Sequence, residues 1–385
     1  MTLRLGIAGC NRGRSFLSVL DAAGFKAVAA VDPDPESLNR LSDMAGISNE
    51  ARFSHYEAML AHGVDAVILG TPMPYHAPQA IMALENNVHV LSEVTAAISF
   101  DQSLRLRNAA RKSKAAYMMA ENYTYGKQCQ IVKAMAKAGL FGDLYYAEGQ
   151  YIHDVRSMVA MPDGTFTWRK AWQMDRRGLT YPTHSIGPVL QWMDDRIVSL
   201  SARGSGSHAD PNYTGDDSAV MLCQTSRGRL VQIRTDIRSP RPHVMDYYQL
   251  QGTQGCYESP RGFGDEHKVY IAGRHGETEW HSLWEFEEEF LPEDWRVHRE
   301  AAAKAGHGGG DYLQILDFAR ACSGEPPVID VYTALDWTLT GLVSELSVEQ
   351  GGVPLPAPDP RTDELDSAAE QERASGRFSG YVESV

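Results

Sequence analysis

The sequence predicts a two-domain protein of the α/β class. An N-terminal doubly wound parallel sheet is followed by an α+β domain built on an open, mostly antiparallel sheet. Three observations carry this prediction. Strand and helix patterns alternate through the first 125 residues, a glycine-rich turn follows the first strand, and from about Leu144 the apolar pattern changes to period two. A chain of 385 residues is long enough for two full hydrophobic cores.

Leu3–Ala8 reads as a short buried strand and residues 26–31 as a second. Asp34 then stands as an N-cap with Pro35 at the first helical position; Leu38, Leu41 and Met44 follow at helical spacing, and Gly46 closes the helix. Residues 65–70, 89–92 and 116–119 are the third, fourth and fifth strands. Between the last two, Ser99 and Gln102 predict a capping box for a helix running to about Lys112. This alternation implies right-handed crossovers and a doubly wound sheet.

The first turn reads Gly9-Cys10-Asn11-Arg12-Gly13-Arg14. Small residues there let backbone N–H groups and a helix N-terminus approach a pyrophosphate. The pattern is degenerate, since Asn11 occupies the place of a second glycine, but Asn tolerates left-handed backbone angles better than most residues. Asp32 ends the second strand, where a carboxylate accepts bonds from both ribose hydroxyls and repels a 2′-phosphate. The expectation is a Rossmann domain that binds NAD rather than NADP. A glycine turn and a helix-capping Asp also occur in other α/β folds.

Composition narrows the partners. Lys and Arg number 36 against 50 Asp and Glu, a net charge of −14 that argues against nucleic acid and anionic membrane. Five scattered cysteines without a C-x-x-C pair read as reduced thiols in a cytoplasmic protein. No apolar run approaches the roughly 20 residues of a membrane helix. The chain enters a strand at once, so no secretory signal is expected.

In the second domain, residues 217–223 and 230–234 flank Ser226-Arg227-Gly228, a hairpin signal, and residues 245–250 and 267–271 extend the set. One face of such a sheet packs on helices and the other is free for an interface. Helices are expected at about 186–193, 312–321 and 332–348. The domains are read as 1–125, 126–356 and a tail, 357–385, whose composition resembles disorder but which is expected to pack as an arm. Tyr151 and His153 lie two apart on a strand and project from one face. His184 is placed just before a helix. His307 and Asp311 are four apart, but no third ligand has metal-like spacing and the glycines between them argue for a loop, so no metal is expected.

The segments Gly70-Thr71-Pro72 through His76, and His89-Val90-Leu91-Ser92-Glu93, resemble the Gfo/Idh/MocA oxidoreductases, and the resemblance extends over residues 3–356. In that family the first segment reads T-P-x-x-x-H and the second E-K-P, whose Lys transfers the proton. Here the second reads Glu93-Val94-Thr95. Valine neither donates, accepts nor shifts a neighbouring pKa, so that role does not carry over. The Asp that usually stands four residues before the catalytic His is Thr180 here.

The variant blocks resemble instead the NAD-dependent glycoside hydrolases of the family, the α-N-acetylgalactosaminidase-like family 109 branch. They are the E-V segment, Glu121-Asn122-Tyr123-Thr124-Tyr125, Glu148-Gly149-Gln150-Tyr151-Ile152-His153-Asp154, Tyr181-Pro182-Thr183-His184 and His307-Gly308-Gly309-Gly310-Asp311-Tyr312. The resemblance implies cofactor contacts from Gly9, Asn11, Arg12, Gly13, Asp32, Thr71, Pro72, His76, Glu93 and Asn122. It also implies catalysis by His184 with Tyr151 and Tyr181, and sugar contacts from His153, His307, Asp311 and Tyr312, with Trp168 and Arg169 as further lining candidates. A homo-oligomer formed through the second sheet is implied as well. Three functions stay open: a redox-neutral glycosidase, a simple NAD-dependent sugar dehydrogenase, and a non-catalytic NAD-dependent sensor.

Overall fold

The computed structural model describes residues 2–276 and 278–377. The chain divides into two compact units. One takes the chain up to Asn122, His298–Leu335 and the chain from Asp359 on; the other takes Tyr123–Val297 and Asp336–Pro358.

The first unit holds six parallel strands: β1 (Leu3–Ala8), β2 (Phe25–Val31), β3 (Arg52–Phe53), β4 (Ala66–Leu69), β5 (His89–Ser92) and β6 (Tyr117–Met119). Their order is β3-β2-β1-β4-β5-β6. The order turns back between β1 and β4, the switch point beyond whose strand ends doubly wound folds bind ligands. β3 carries no readable pattern because it is two residues long. The first crossover is a chain of short helical pieces, Cys10–Gly13, Arg14–Phe16, Leu17–Leu20 and Asp21–Ala23, closed by Gly24 at φ 84°.

The helix Pro35–Ala45 is capped as the sequence predicts, with the Asp34 carboxylate accepting from Glu36 N and Ser37 N and Gly46 closing it at φ 67°. The predicted capping box at Phe100–Lys112 is half formed. Ser99 Oγ accepts from Gln102 N at 3.0 Å, but the Gln102 side chain turns to Ile98 N rather than to Ser99 N. Part of the tail supplies what is missing: Glu372, on the helix Glu364–Ser375, accepts from Phe100 N (3.2 Å) and Asp101 N (2.9 Å), donors that a helix start otherwise leaves orphaned. On the same helix Asp366 receives both Nη atoms of Arg107, at 2.9 and 3.1 Å. Residues 357–377 are thus ordered; 378–385 of the predicted tail lie outside the described residues.

The second unit carries a nine-stranded sheet: β7 (Leu144–Ile152), β8 (Ile197–Gly204), β9 (Ser218–Thr225), β10 (Leu230–Asp236), β11 (Val244–Gly252), β12 (Gly255–Glu258), β13 (Lys268–Ile271), β14 (His281–Ser282) and β15 (Leu355–Pro356). The order is β14-β13-β12-β11-β7-β10-β9-β8-β15, antiparallel except where β7 meets β10. The β9–β10 hairpin closes through Thr225 N to Arg229 O at 2.9 Å, around Gly228 at φ 77°. One face is apolar and buried through Ala147, Val231, Ile233, Met221, Cys223, Tyr248, Leu250, Tyr257 and Val269. The other is polar, with Gln150 and Gln232 both donating to Glu148 Oε1. Period two therefore has its expected physical meaning here.

Candidate functional site

In the first unit, β1 ends at a turn that only glycine accommodates. Gly9 sits at φ 81°, and a Cβ there would meet Gly70 C and O at 2.4 Å. A Cβ on Gly13 would strike Ile7 Cγ2 at 2.3 Å, so its absence lets the first crossover close on β1. Asn11 lies in the helical piece Cys10–Gly13 and is not among the residues with positive φ, so the left-handed tolerance expected of it is not used. Half-buried Asp32 accepts Cys10 N on Oδ2 (2.8 Å) and Asp34 N on Oδ1 (2.9 Å), which leaves each oxygen a further lone pair for a hydroxyl.

Beyond the turn, Arg12 gathers the motifs that the sequence separates. Its Nε donates to Glu93 Oε1 (2.7 Å), Nη1 to Ser15 Oγ (2.5 Å) and Nη2 to Asp311 Oδ1 (3.3 Å). Asp311 Oδ1 also receives Asn122 Nδ2 (3.3 Å) and Gln314 Nε2 (3.2 Å), and Oδ2 pairs with His307 Nδ1 at 3.0 Å. Burial opposes the charge on Asp311, but the His307 hydrogen bond and the Arg12 guanidinium outweigh it and hold the carboxyl below its usual range. Asn122 Oδ1 and Gln314 Oε1 are buried and accept no hydrogen bond from the described residues. Orphaned acceptors beside a glycine turn and a ribose-type Asp fit a polar cofactor such as NAD.

Other expected residues fall elsewhere. His76 is buried, with Nδ1 and Nε2 each 2.8 Å from a main-chain carbonyl, of Thr95 and Thr71; it braces the segments after β4 and β5. Thr71 Oγ1 donates to Gln79, and Pro72 caps the helix Met73–Glu85. Val94 is buried. His307 and Asp311 are not in one loop: His307 opens a 3₁₀ turn, and Asp311 stands in the first turn of the helix Gly310–Cys322. Tyr312 is buried with its hydroxyl 3.0 Å from His298 Nδ1.

In the second unit, Tyr151 is the penultimate residue of the central strand β7, and His153 continues the strand by donating its N–H to Asp236 O at 2.8 Å. Two apart and on one face, they meet: Tyr151 Oη lies 2.8 Å from His153 Nδ1. Gly149, on the same face, explains how His184 arrives. A Cβ there would sit 2.1 Å from Ser185 O, so only glycine lets the helix Thr183–Met193 press onto β7. His184 is the second residue of that helix, which begins three residues earlier than its apolar spacing indicates. Tyr248 of β11 fixes it by donating to His184 O at 2.7 Å.

The preceding loop is held by Gly178 N on Asp216 (2.9 Å) and Leu179 N on Ser344 Oγ (2.9 Å), which presents Tyr181 to the same place. The rings of Tyr151 and Tyr181 each lie 5.0 Å from His184, and that of Tyr123 lies at 4.3 Å. Sequence reasoning passed over Tyr123, although it stands inside one of the quoted blocks. It also passed over His243, whose ring lies 4.4 Å from His153 but which no block contains. Arg169 stacks on Trp168 at 4.5 Å and donates to Gln173 Oε1 at 2.6 Å. Burial, then His243, Arg169 and His184, push the His153 imidazole down to about 4, so it is neutral near pH 7.

His275, His281 and Glu285 bring donor atoms within 4.8 Å of one another. Nδ1 of His275 accepts Ile271 N–H at 3.0 Å, which puts the ring proton on Nε2, and the two imidazoles stack at 3.8 Å. With Nδ1 accepting that bond and Nε2 protonated, the neutral His275 ring has no free lone pair to offer a metal ion. Among the described residues no helix is long and apolar enough to cross a membrane.

Comparison with known proteins matches residues 3–121 to the oxidoreductase family, NAD-binding Rossmann fold, and residues 125–364 to the glycosyl hydrolase 109 C-terminal domain. The chain belongs to glycosyl hydrolase family 109. A family 109 protein of Saccharopolyspora erythraea is 32% identical over 390 residues, covering 93% of this chain and 83% of the relative. One from Streptomyces filamentosus is 32% identical and covers 93% and 77%. Similar solved structures include a levoglucosan dehydrogenase in complex with NADH (TM-score 0.79, 17% identity, 93% of this chain and 100% of that one). Another is the WlbA dehydrogenase of Bordetella pertussis in complex with NADH and UDP-GlcNAcA (TM-score 0.72, 20% identity, 93% and 98%). At such identities they share the fold. This family 109 chain is thus an NAD-dependent enzyme whose first domain is the NAD-binding one.

Proposed function

We propose that this chain cleaves a glycoside by a redox-neutral cycle: oxidation of a ring carbinol at C3, loss of the C2 proton with elimination of the C1 substituent, addition of water, and reduction. NAD, when bound, supplies the hydride acceptor and, once reduced, the donor that restores the carbinol. Gly9, Asp32 and the Arg12–Glu93–Asp311–Asn122 network are the residues that would hold it.

The observation that carries this reading is the cluster of Tyr123, Tyr151 and Tyr181 around His184, with the Tyr151 hydroxyl 2.8 Å from an imidazole nitrogen. A plain dehydrogenase needs one proton acceptor. A cycle that also breaks a C2–H bond needs a second, and the cluster offers two kinds of group for the two tasks. His184 takes the carbinol proton and returns it. Tyr151 is the better candidate for the C2 proton than Tyr181, because His153 Nδ1, when it carries the ring proton, stabilises the phenolate by donating to it. His153 then acts on Tyr151 rather than on the sugar. Val94 is buried and has no group that transfers a proton, so the cycle draws its proton carriers from His184 and Tyr151. Trp168 and the Arg169 it carries remain proposed sugar contacts.

The test is aglycone release. NAD-loaded protein is given p-nitrophenyl glycosides of varied sugar and anomer while nitrophenolate and NADH absorbance are followed together. Release without accumulating NADH supports the cycle, and NADH stoichiometric with consumed sugar supports a dehydrogenase. NAD binding with neither reaction points to a sensor. Self-association belongs to the same reading, through the polar face of the second sheet, where Leu222 and Leu230 are exposed.

A further inference from the structure

The Tyr151 hydroxyl belongs to a residue only 7% exposed, and its proton must nevertheless change places with solvent if the phenol is to act as a base. The side chains beyond it form a graded series. His153 is half-buried, and His243, at the end of the Ser239-Pro240-Arg241-Pro242-His243 run, is exposed. The ring of His243 meets His153 edge to face with ring centroids 4.4 Å apart, while His153 Nδ1 is engaged by Tyr151 at 2.8 Å. Neither a structural nor a sugar-binding role for His153 requires an exposed second imidazole against it.

We propose that His153 and His243 conduct protons between the Tyr151 phenol and bulk water. The path rests on the reading of Tyr151 as a base. At rest Tyr151 O–H donates to the lone pair of His153 Nδ1, and the ring proton is on Nε2. The proton crosses from Oη to Nδ1 as the Nε2 proton leaves toward His243 and water. One O–H and one N–H bond break, one N–H forms on His153, and the departing proton is taken up by the His243 imidazole or water. The products are a phenolate and a still-neutral His153 of the other tautomer, now donating to the phenolate oxygen. The same movement run backward restores the phenol. A two-nitrogen ring does this without ever holding two protons, and a ring that resists protonation does not trap the proton in transit. The charged and titratable groups that face His153 are Tyr151 and Asp154 from its own segment, His184 from the helix Thr183–Met193, Arg169 and His243. Asp154 is already paired with Arg156 at 2.7 Å. The Arg169 guanidinium near the ring favours departure of a proton over its storage.

The test compares NAD-loaded wild type, His243→Ala and His243→Gln in D₂O at low buffer concentration, with a p-nitrophenyl glycoside that the wild type cleaves. Deuterium at C2 of the released sugar is measured per turnover. Near-complete labelling is expected in wild type. Both variants should incorporate about tenfold less, with KM unchanged and labelling restored by added imidazole. Equal labelling in variant and wild type, or a loss that imidazole does not repair, overturns the path. If no glycoside is cleaved, the functional reading fails instead, and the path is judged without turnover. In the ¹⁵N-imidazole spectrum, assigned with His153→Gln, the His153 Nε2 proton should exchange with water about tenfold more slowly in His243→Ala than in wild type. Equal exchange rates overturn the path.

Discussion

At the scale of single residues, the proposed cycle assigns the proton work to one histidine and one tyrosine, and each assignment makes its own prediction. His184→Ala should lower kcat by about 10²–10⁴-fold while NAD still quenches protein fluorescence at an unchanged Kd; retained turnover would remove His184 from the mechanism. Tyr151→Phe keeps the ring packing but loses the hydroxyl that meets His153, so it should abolish C2 labelling without unfolding the protein. Acid should destabilise the fold for a related reason. Burial pushes His153 and His267 down to about 4, below the ordinary imidazole value of 6.5. Between those two values the unfolded chain binds protons that the folded chain refuses, so stability is full above about pH 6.5 and falls as pH drops toward 4. Thermal melts across this window should show the loss, and His153→Gln should reduce its slope.

At the scale of elements, much of the site is an account of where backbones are allowed to touch. Gly149→Ala should push the helix Thr183–Met193 off β7, because its Cβ would overlap Ser185 O. About 1–3 kcal/mol of stability should be lost in urea melts, with kcat falling more than NAD affinity. Glu372→Ala removes the acceptor of two helix-start N–H groups and should cost about 1 kcal/mol, read as a lower Tm; Glu372→Gln should recover part of it. These elements also mark what a sequence discloses. The Asp34 cap and the β9–β10 hairpin were legible because each depends on residues a few positions apart. The start of the His184 helix was not, since Pro182 and Thr183 carry no apolar period and the helix is set by contact with Gly149. Tyr151 and His153 were legible as a pair from strand alternation. His243 was not, because only the fold carries a proline-rich loop back to β7.

At the scale of the whole molecule, the chain pairs a Rossmann domain that fits NAD with a second domain whose central strand supplies aromatic and imidazole groups. The cofactor was legible from a degenerate turn because the turn and Asp32 fall within one strand–helix–strand unit, only 22 positions apart. The Arg12–Asp311 link was not, since residues almost three hundred positions apart leave no periodic trace. Light scattering at micromolar concentration should give a mass above 42.5 kDa, and Leu222→Asp on the open face should reduce it; an unchanged mass would exclude that face. In the proposed cycle the cofactor is used and restored within each turnover. Simultaneous recording of nitrophenolate and NADH from NAD-loaded protein tests it most directly. Many aglycones should be released per bound NAD with no net rise in NADH absorbance. One NADH formed per sugar consumed, with no aglycone released, would contradict it.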